Sequence, residues 1–310
     1  MASTSRSLLS VVIPLYREGS HITSTLPEII TVLNALNTIY EILLVDDGSP
    51  DNTWQAMVAL REFHPQVKCM RLSRNFGKEA ALAAGLEYAQ GDAIVVMDGD
   101  LQHPPKLIPV MLQHWREGAE VVEAVKVSRG SESVLSKVRA KLFYTLFTRM
   151  TGLDLHGASD FKLMDRCVLE AWRGFSERNL FFRGMNAWLG FRRVQVQFDV
   201  EDRVGGTSTW SLVQLGRLAL IAVTSFSSAP LYLLTIAGLC FSVFATIIGF
   251  QTLYLKLSGQ AVDGFTTVIL LLLVLGGAAM LGLGLIGVYV ARIYDEVKGR
   301  PRYVIAERLE

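Results

Sequence analysis

The sequence predicts an α/β domain with a mostly parallel, three-layer sheet, followed by a two-helix apolar hairpin. Three observations carry this. Residues 8 to about 200 alternate apolar strand patterns with amphipathic helix patterns, the order that builds βαβ units. Three of the strand patterns end in acidic or polar residues. Near the other end lie two almost uninterrupted apolar stretches, Pro230–Leu255 and Phe265–Ala291, with no charged side chain in their middle. Each is about 26 residues, enough to span a bilayer with some tilt.

The strand patterns run Leu9–Pro14, Ile42–Val45, Val67–Leu72, Ala93–Met97, Val121–Val125, Phe161–Met164 and Val194–Val200. Helix patterns fill Ser20–Asn37, Thr53–His64, Lys78–Ala89, Pro105–Glu117 and Val134–Met150. Arg6 and the apolar run Leu8–Leu15 superficially suggest a leader peptide. The run is short, Pro14 interrupts it and no small-residue cleavage site follows, so it reads as the first strand. No strand is followed by Gly-x-Gly-x-x-Gly or by a Walker loop, which leaves dinucleotide binding without support and argues against an ATPase. The formal net charge is +1, which argues against nucleic acid as a partner. Cys69, Cys167 and Cys240 are odd in number and far apart, without disulfide or metal-ligand spacing, as in a reducing cytoplasm.

Chemistry concentrates at strand ends. Asp92-Ala-Ile-Val-Val-Met-Asp98-Gly99-Asp100-Leu101-Gln102 is an apolar strand whose carboxyl end carries two carboxylates and an amide. Open α/β sheets bind ligands at that edge. Such a donor set suits a hard divalent cation facing a phosphate, although an Asp-rich, helix-capping turn before Pro104-Pro105 has the same look. Glu41-Ile-Leu-Leu-Val-Asp46-Asp47-Gly48 is a second strand ending in acids, and Leu8-Leu-Ser-Val-Val-Ile-Pro14-Leu-Tyr16-Arg17-Glu18 precedes both. These pieces in this order resemble a family-2 glycosyltransferase with the nucleotide-sugar fold called GT-A. Gly157-Ala-Ser-Asp160-Phe-Lys-Leu-Met164 is similar to the Gly-Asp-Phe-Arg-Leu-Met element of membrane-anchored polyprenyl-phosphate glycosyltransferases, among them bactoprenol glucosyltransferases and dolichol-phosphate mannose synthases. Further matches are Glu177–Gly184, Arg203-Val-Gly-Gly206-Thr-Ser208-Thr209-Trp210 and the tail Gly287–Tyr303. Two positions depart from the pattern: Arg17 stands where the family has Asn, and Thr209 where it has Lys.

The resemblance implies a donor site in which Pro14, Tyr16, Glu18 and Asp47 frame the base and ribose of a UDP-sugar, with Lys78 near the base or diphosphate. Asp100 and Gln102 would hold Mg²⁺ or Mn²⁺, and Asp98 would either join them or hold the ribose. Asp160 would stand beside the reacting centre in a positioning or electrostatic role, forming the catalytic pair with Asp100. The acceptor implied is undecaprenyl phosphate, which is already largely dianionic near neutral pH and needs cations rather than a general base. From Glu123 to Arg149 the chain carries six basic residues against two acidic ones. Arg129 and Arg139, with Lys137 as an alternate and Arg203 beyond them, are the candidates for that phosphate.

The implied organisation is a catalytic domain over 1–209, a juxtamembrane amphipathic segment over 210–228, and two membrane helices with a short tail over 229–310. Arg292, Lys298, Arg300, Arg302 and Arg308 follow the second span, which places the tail and the catalytic domain in the cytoplasm. The basic helix Val134–Met150 suits the membrane surface. Gly276, Gly277, Gly282, Gly284 and Gly287 permit close helix contact, within the hairpin or in a homo-oligomer. The reaction implied is inverting transfer of one sugar, glucose by family analogy, to the membrane lipid. A processive synthase is disfavoured by the missing Gln-x-x-Arg-Trp motif, and a non-catalytic scaffold by the intact acids.

Overall fold

A computed structural model describes residues 7–100, 103–126, 145, 147–152, 159–175, 177, 181–198, 227–259 and 264–310. The expected helix over 134–150 and the amphipathic segment over 210–228 lie largely outside these residues. The chain divides into two compact units. One holds the sheet and includes residues 300–310; the other holds the apolar helices.

The sheet unit is built on eight strands. In chain order they are β1 (Leu8–Leu15), β2 (Ile39–Asp46), β3 (Val67–Leu72), β4 (Ala93–Val96), β5 (Val121–Lys126), β6 (Lys162–Asp165), β7 (Arg193–Phe198) and β8 (Ile305–Leu309), arranged β7-β5-β6-β4-β1-β2-β3-β8. The pairs β1–β2, β1–β4, β2–β3 and β5–β7 are parallel, whereas β6 runs antiparallel between β4 and β5. Leu15 pairs with Asp46, so the ends of β1 and β2 arrive at the same rim, and β4 ends beside them. This is the GT-A arrangement, a mostly parallel Rossmann-like sheet.

Continuous apolar strands require cover on both faces. Along β1, Leu9, Val11, Ile13 and Leu15 join a core with Ile22, Leu26 and Ile29 of α1 (Gly19–Asn34), Trp54 and Met57 of α2 (Thr53–Phe63), and Ile108, Met111 and Leu112 of α4 (Ile108–Arg116). Val12 points to the opposite face and meets α3 (Lys78–Tyr88). That helix is mostly Ala and Gly on its buried side, which allows a close approach: a Cβ on Gly85 would lie 2.3 Å from Val12 Cγ1. Its carboxyl end is held by Arg173 of α5 (Arg166–Arg173), whose guanidinium donates to the carbonyls of Leu86, Glu87 and Ala89. The amino end of α3 therefore has a fixed position, and Lys78 sits there.

Three elements do not follow from sequence periodicity, one of them the helix over Phe182–Leu189. Helix α5 is short; Asp165 caps it by accepting from the Cys167 N–H and also anchors Trp115. Strand β8, read from the sequence only as part of a basic tail, adds to β3 in antiparallel register, Cys69 facing Leu309. Its Glu307 meets Arg71, which also contacts the wholly buried Asp46 at 3.3 Å.

The second unit contains α7 (Ala229–Leu257) and α8 (Phe265–Val297). Within them 229–255 and 274–297 are long and apolar enough to cross a membrane, and their side chains are almost entirely unburied. Exposed apolar surface of this extent marks a membrane-associated chain. Gly282 packs against Leu234 across the hairpin.

Gly85→Val should overpack the α3–sheet contact and cost about 1–3 kcal/mol. A thermal-unfolding measurement on the purified protein should show the midpoint falling by several degrees; an unchanged midpoint contradicts the close approach.

Candidate active site

Three strand ends converge on one cleft of about 290 Å³. Strand β1 delivers Pro14 and Tyr16, and the following turn places Glu18 just ahead of α1. Arg17 in that turn has φ +58°, a left-handed conformation costly for Arg and better tolerated by Asn. Its N–H donates to Ser49 Oγ. Glu18 N–H donates to Thr53 Oγ1, tying the turn to the start of α2.

Strand β2 delivers Asp47, whose carboxylate accepts the N–H groups of Phe76 (2.7 Å) and Gly77 (2.8 Å). Burial pushes the Asp47 pKa up against these two bonds. The approach depends on Gly48, at φ +63°, where a Cβ would lie 2.4 Å from the Arg74 backbone. Gly77, at φ +100°, then turns the chain into α3. Past the end of β4, Asp98 and Asp100 reach the cleft on either side of Gly99, which has no room for a Cβ because Leu15 and Glu18 lie against it.

Charge is distributed unevenly over these acids. Lys78 Nζ lies 2.5 Å from Asp98 Oδ1 and 3.0 Å from Asp160 Oδ2. Burial opposes its charge, but the two carboxylates more than offset that and raise its pKa. Asp160, just ahead of β6, also receives both arms of Arg183, Nε to Oδ1 and Nη2 to Oδ2, each at 2.7 Å. Burial alone would raise the Asp160 pKa; Arg183 and Lys78 together hold it well below the usual carboxylate range. Glu18 is the opposite case: its Oε2 is buried without a hydrogen-bond partner. Burial, then the charges of Asp100 and Asp98, push its pKa up to about 7.

The structure thus brings Pro14, Tyr16, Glu18, Asp47, Lys78, Asp98 and Asp100 to one cleft, with Asp160 joined to it through Lys78. Gln102, Arg129, Lys137, Arg139 and Arg203 lie outside the described residues. Arg183 and Glu79 were not singled out by the sequence. Arg183 belongs to α6 (Phe182–Leu189), and Glu79 Oε2 accepts the N–H of Phe182 at 2.8 Å. His103 was also missed; its ring lies 5.2 Å from that of Phe161 and its Nδ1 is 3.9 Å from Asp98. Burial lowers the His103 pKa against the pull of Asp98 and Asp100.

A cleft of acids at the carboxyl rim of a parallel sheet, with one lysine among them, is equipped for a charged ligand. Comparison of the whole chain agrees: the model of glycosyl transferase family 2 matches residues 10–172. The chain belongs to glycosyl transferase family 2. An uncharacterized glycosyltransferase of Synechocystis sp. is 40% identical over 304 residues, covering 96% of this chain and 95% of that protein. The prophage bactoprenol glucosyl transferase homolog of Escherichia coli K12 is 36% identical over 299 residues, covering 96% of this chain and 98% of that protein. Among solved structures, a mannosyltransferase from Pyrobaculum calidifontis covers 90% of this chain and 88% of its own at 18% identity, with a TM-score of 0.45. This glycosyltransferase therefore carries its family's domain on a chain that continues into two apolar helices.

Burial, opposed by the Phe182 N–H, pushes the Glu79 pKa up from 4.5 to about 7. A raised carboxyl contributes stability that is complete below the unfolded value and is lost as pH rises through the folded one. Glu79→Gln keeps an acceptor for Phe182 and removes the titration. Relative to wild type it should gain about 1–3 kcal/mol between pH 5 and pH 8, read from unfolding midpoints. A wild-type–variant difference independent of pH contradicts this.

Proposed function

We propose that the protein transfers one glucose from UDP-glucose to undecaprenyl phosphate at the cytoplasmic face of the membrane, inverting the anomeric centre. The observation that carries this reading is the pairing of Asp160 with two cations, the Arg183 guanidinium through two bonds and the Lys78 ammonium at 3.0 Å. A carboxylate held ionised by Arg183 and Lys78 is a poor proton acceptor. A sugar hydroxyl would need such an acceptor; a lipid monophosphate brings its own negative charge, with a second pKa of about 6. The apolar helices α7 and α8 support a lipid substrate, as do relatives named bactoprenol glucosyl transferase, among them one from Shigella phage SfII at 35% identity over 96% of this chain. The excess of Lys and Arg after α8 supports the cytoplasmic orientation and a hairpin that spans twice.

In this reading Pro14, Tyr16, Glu18 and Asp47 receive the base and ribose. Among the described residues lining the cleft, Lys78 alone is cationic, and it meets the diphosphate. Asp98 and Asp100, with Gln102, would hold Mg²⁺ or Mn²⁺. Glu18's buried, unpartnered oxygen and the acids beside it fit a hard cation, although no three described His, Cys, Asp or Glu residues form a ready cage. Two carboxylates with substrate phosphates completing the shell are a usual Mg²⁺ arrangement. The ion, when bound, neutralises charge on the departing diphosphate. A phosphate oxygen of the lipid forms the new bond to C1, and the C1–O bond to UDP breaks with its electron pair leaving on UDP. No proton need move if the acceptor is dianionic. Arg129, Lys137, Arg139 and Arg203 supply cations for the lipid phosphate, and Asp160 holds its charge at the reacting centre. Self-association through α8 fits the same picture, since Gly276, Gly277, Gly284 and Gly287 have open space around them.

The test is transfer of radiolabel from a panel of UDP-sugars to undecaprenyl phosphate in detergent. A mild-acid-labile labelled lipid from UDP-glucose is expected, lost on metal chelation and abolished by Asp100→Ala with membrane insertion intact. Labelled lipid from a different donor alone corrects the sugar. Retained transfer by Asp100→Ala after chelation refutes the metal assignment.

A further inference from the structure

We propose that Arg183 is a positioning residue for sugar transfer: its guanidinium holds the Asp160 carboxylate in place while Lys78 turns from Asp160 to the donor's diphosphate. This rests on the reading of the cleft as a nucleotide-sugar site.

Lys78 is at present shared between Asp98 and Asp160. An entering diphosphate carries more charge than either carboxylate and draws the ammonium toward itself. Asp160, whose side chain is only 13% exposed, then loses one of its two cations. A carboxylate left at that depth without a partner is costly and swings or takes up a proton. Arg183 prevents both, because its two parallel bonds fix the carboxylate plane as well as its charge, which a lysine cannot do.

The guanidinium is itself aimed by its neighbour in sequence. Phe182 is held from two sides: Glu79 accepts its N–H, and the fully buried Lys162 places its ammonium 4.9 Å from the ring centre. Lys162 is fixed in turn by Glu123 at 3.0 Å. Thus α3 supplies both Lys78 and, one residue later, the acceptor that sets the start of α6, while β6 supplies Lys162 two residues after Asp160. Arg183's own side chain is 45% exposed, so replacing it removes a clamp without opening the core.

The experiment uses the full-length protein in detergent, with wild type, Arg183→Gln, Arg183→Lys, Asp160→Asn and the Arg183→Gln/Asp160→Asn double variant. Wild-type transfer to undecaprenyl phosphate tests the proposed function by itself. Slow hydrolysis of UDP-glucose by water is followed in parallel, because it reports the positioned carboxylate without any assumption about the acceptor. Arg183→Gln should lower kcat roughly 10- to 100-fold, the scale of one lost charge-assisted pair, with the donor KM changed less than about threefold. Arg183→Lys should recover part of the loss, and the double variant should be no slower than Asp160→Asn. Hydrolysis slowed by Arg183→Gln in the absence of any lipid transfer would uphold the clamp and refute the acceptor. An unchanged kcat, fully additive losses, or a loss confined to the KM of the lipid would overturn the inference.

Discussion

Carboxylates at the ends of neighbouring parallel strands repel one another, and in this chain Glu18, Asp47, Asp98 and Asp100 line one cleft with Asp160 beside it. At an effective dielectric near 20, two unit charges about 4 Å apart cost about 4 kcal/mol, a large share of a domain's net stability. Four of these acids meet this constraint in different ways. Asp47 is satisfied by backbone N–H groups ahead of α3, Asp98 by Lys78, and Asp160 by Lys78 with Arg183. At Glu18, burial and the charges of Asp100 and Asp98 push the pKa up to about 7. Lys78 is the pivot of this arrangement, the one described cation that lines the cleft. In the proposed reaction a diphosphate with its metal would redistribute these charges, which would make substrate binding and charge compensation one event.

The fold serves that pivot. Helix α3 is fixed along its length by the close approach of Gly85 to Val12, at its carboxyl end by the Arg173 guanidinium, and at its amino end by Gly77 and Asp47. Rigid support of this kind lets a flexible lysine side chain be aimed, because the backbone beneath it has one position. The opposite edge of the sheet is secured separately: Glu41, nearly buried, accepts from Ser10 and Lys68, and Ser10 accepts from the Gly91 N–H. The tail contributes as well. Through β8, Glu307 and Arg71, the segment that follows the second apolar helix reaches Asp46, next to Asp47 of the cleft.

Much of this was legible in the sequence, for a physical reason. Strands β1, β2 and β4 are largely apolar runs with abrupt polar ends, and a buried parallel sheet demands that pattern. The acids at those ends were readable for the same cause. The links between them were not, because they join residues far apart in the chain: Lys78 and Asp160 are 82 positions apart, and Arg183 is 23 beyond Asp160. Strand β8 escaped notice since five residues with two charges form a strand only because β3 offers an open edge. Helix α5 carried a signal, Asp165 as N-cap before Val168, Leu169 and Trp172, but eight residues are too few for periodicity to stand out. The departure at Arg17 was visible in the sequence, and its backbone cost came only with the positive φ.

The central claim is that the acceptor carries its own charge to the reaction and that Asp160 does not take a proton. The most direct test is the acid limb of the pH–rate profile, measured with undecaprenyl phosphate and with the corresponding undecaprenyl phosphonate, whose second ionisation is weaker. The account predicts a limb near pH 6 with the phosphate, which moves upward with the phosphonate. A limb that stays at the same pH for both acceptors would assign the titrating group to the enzyme and contradict it.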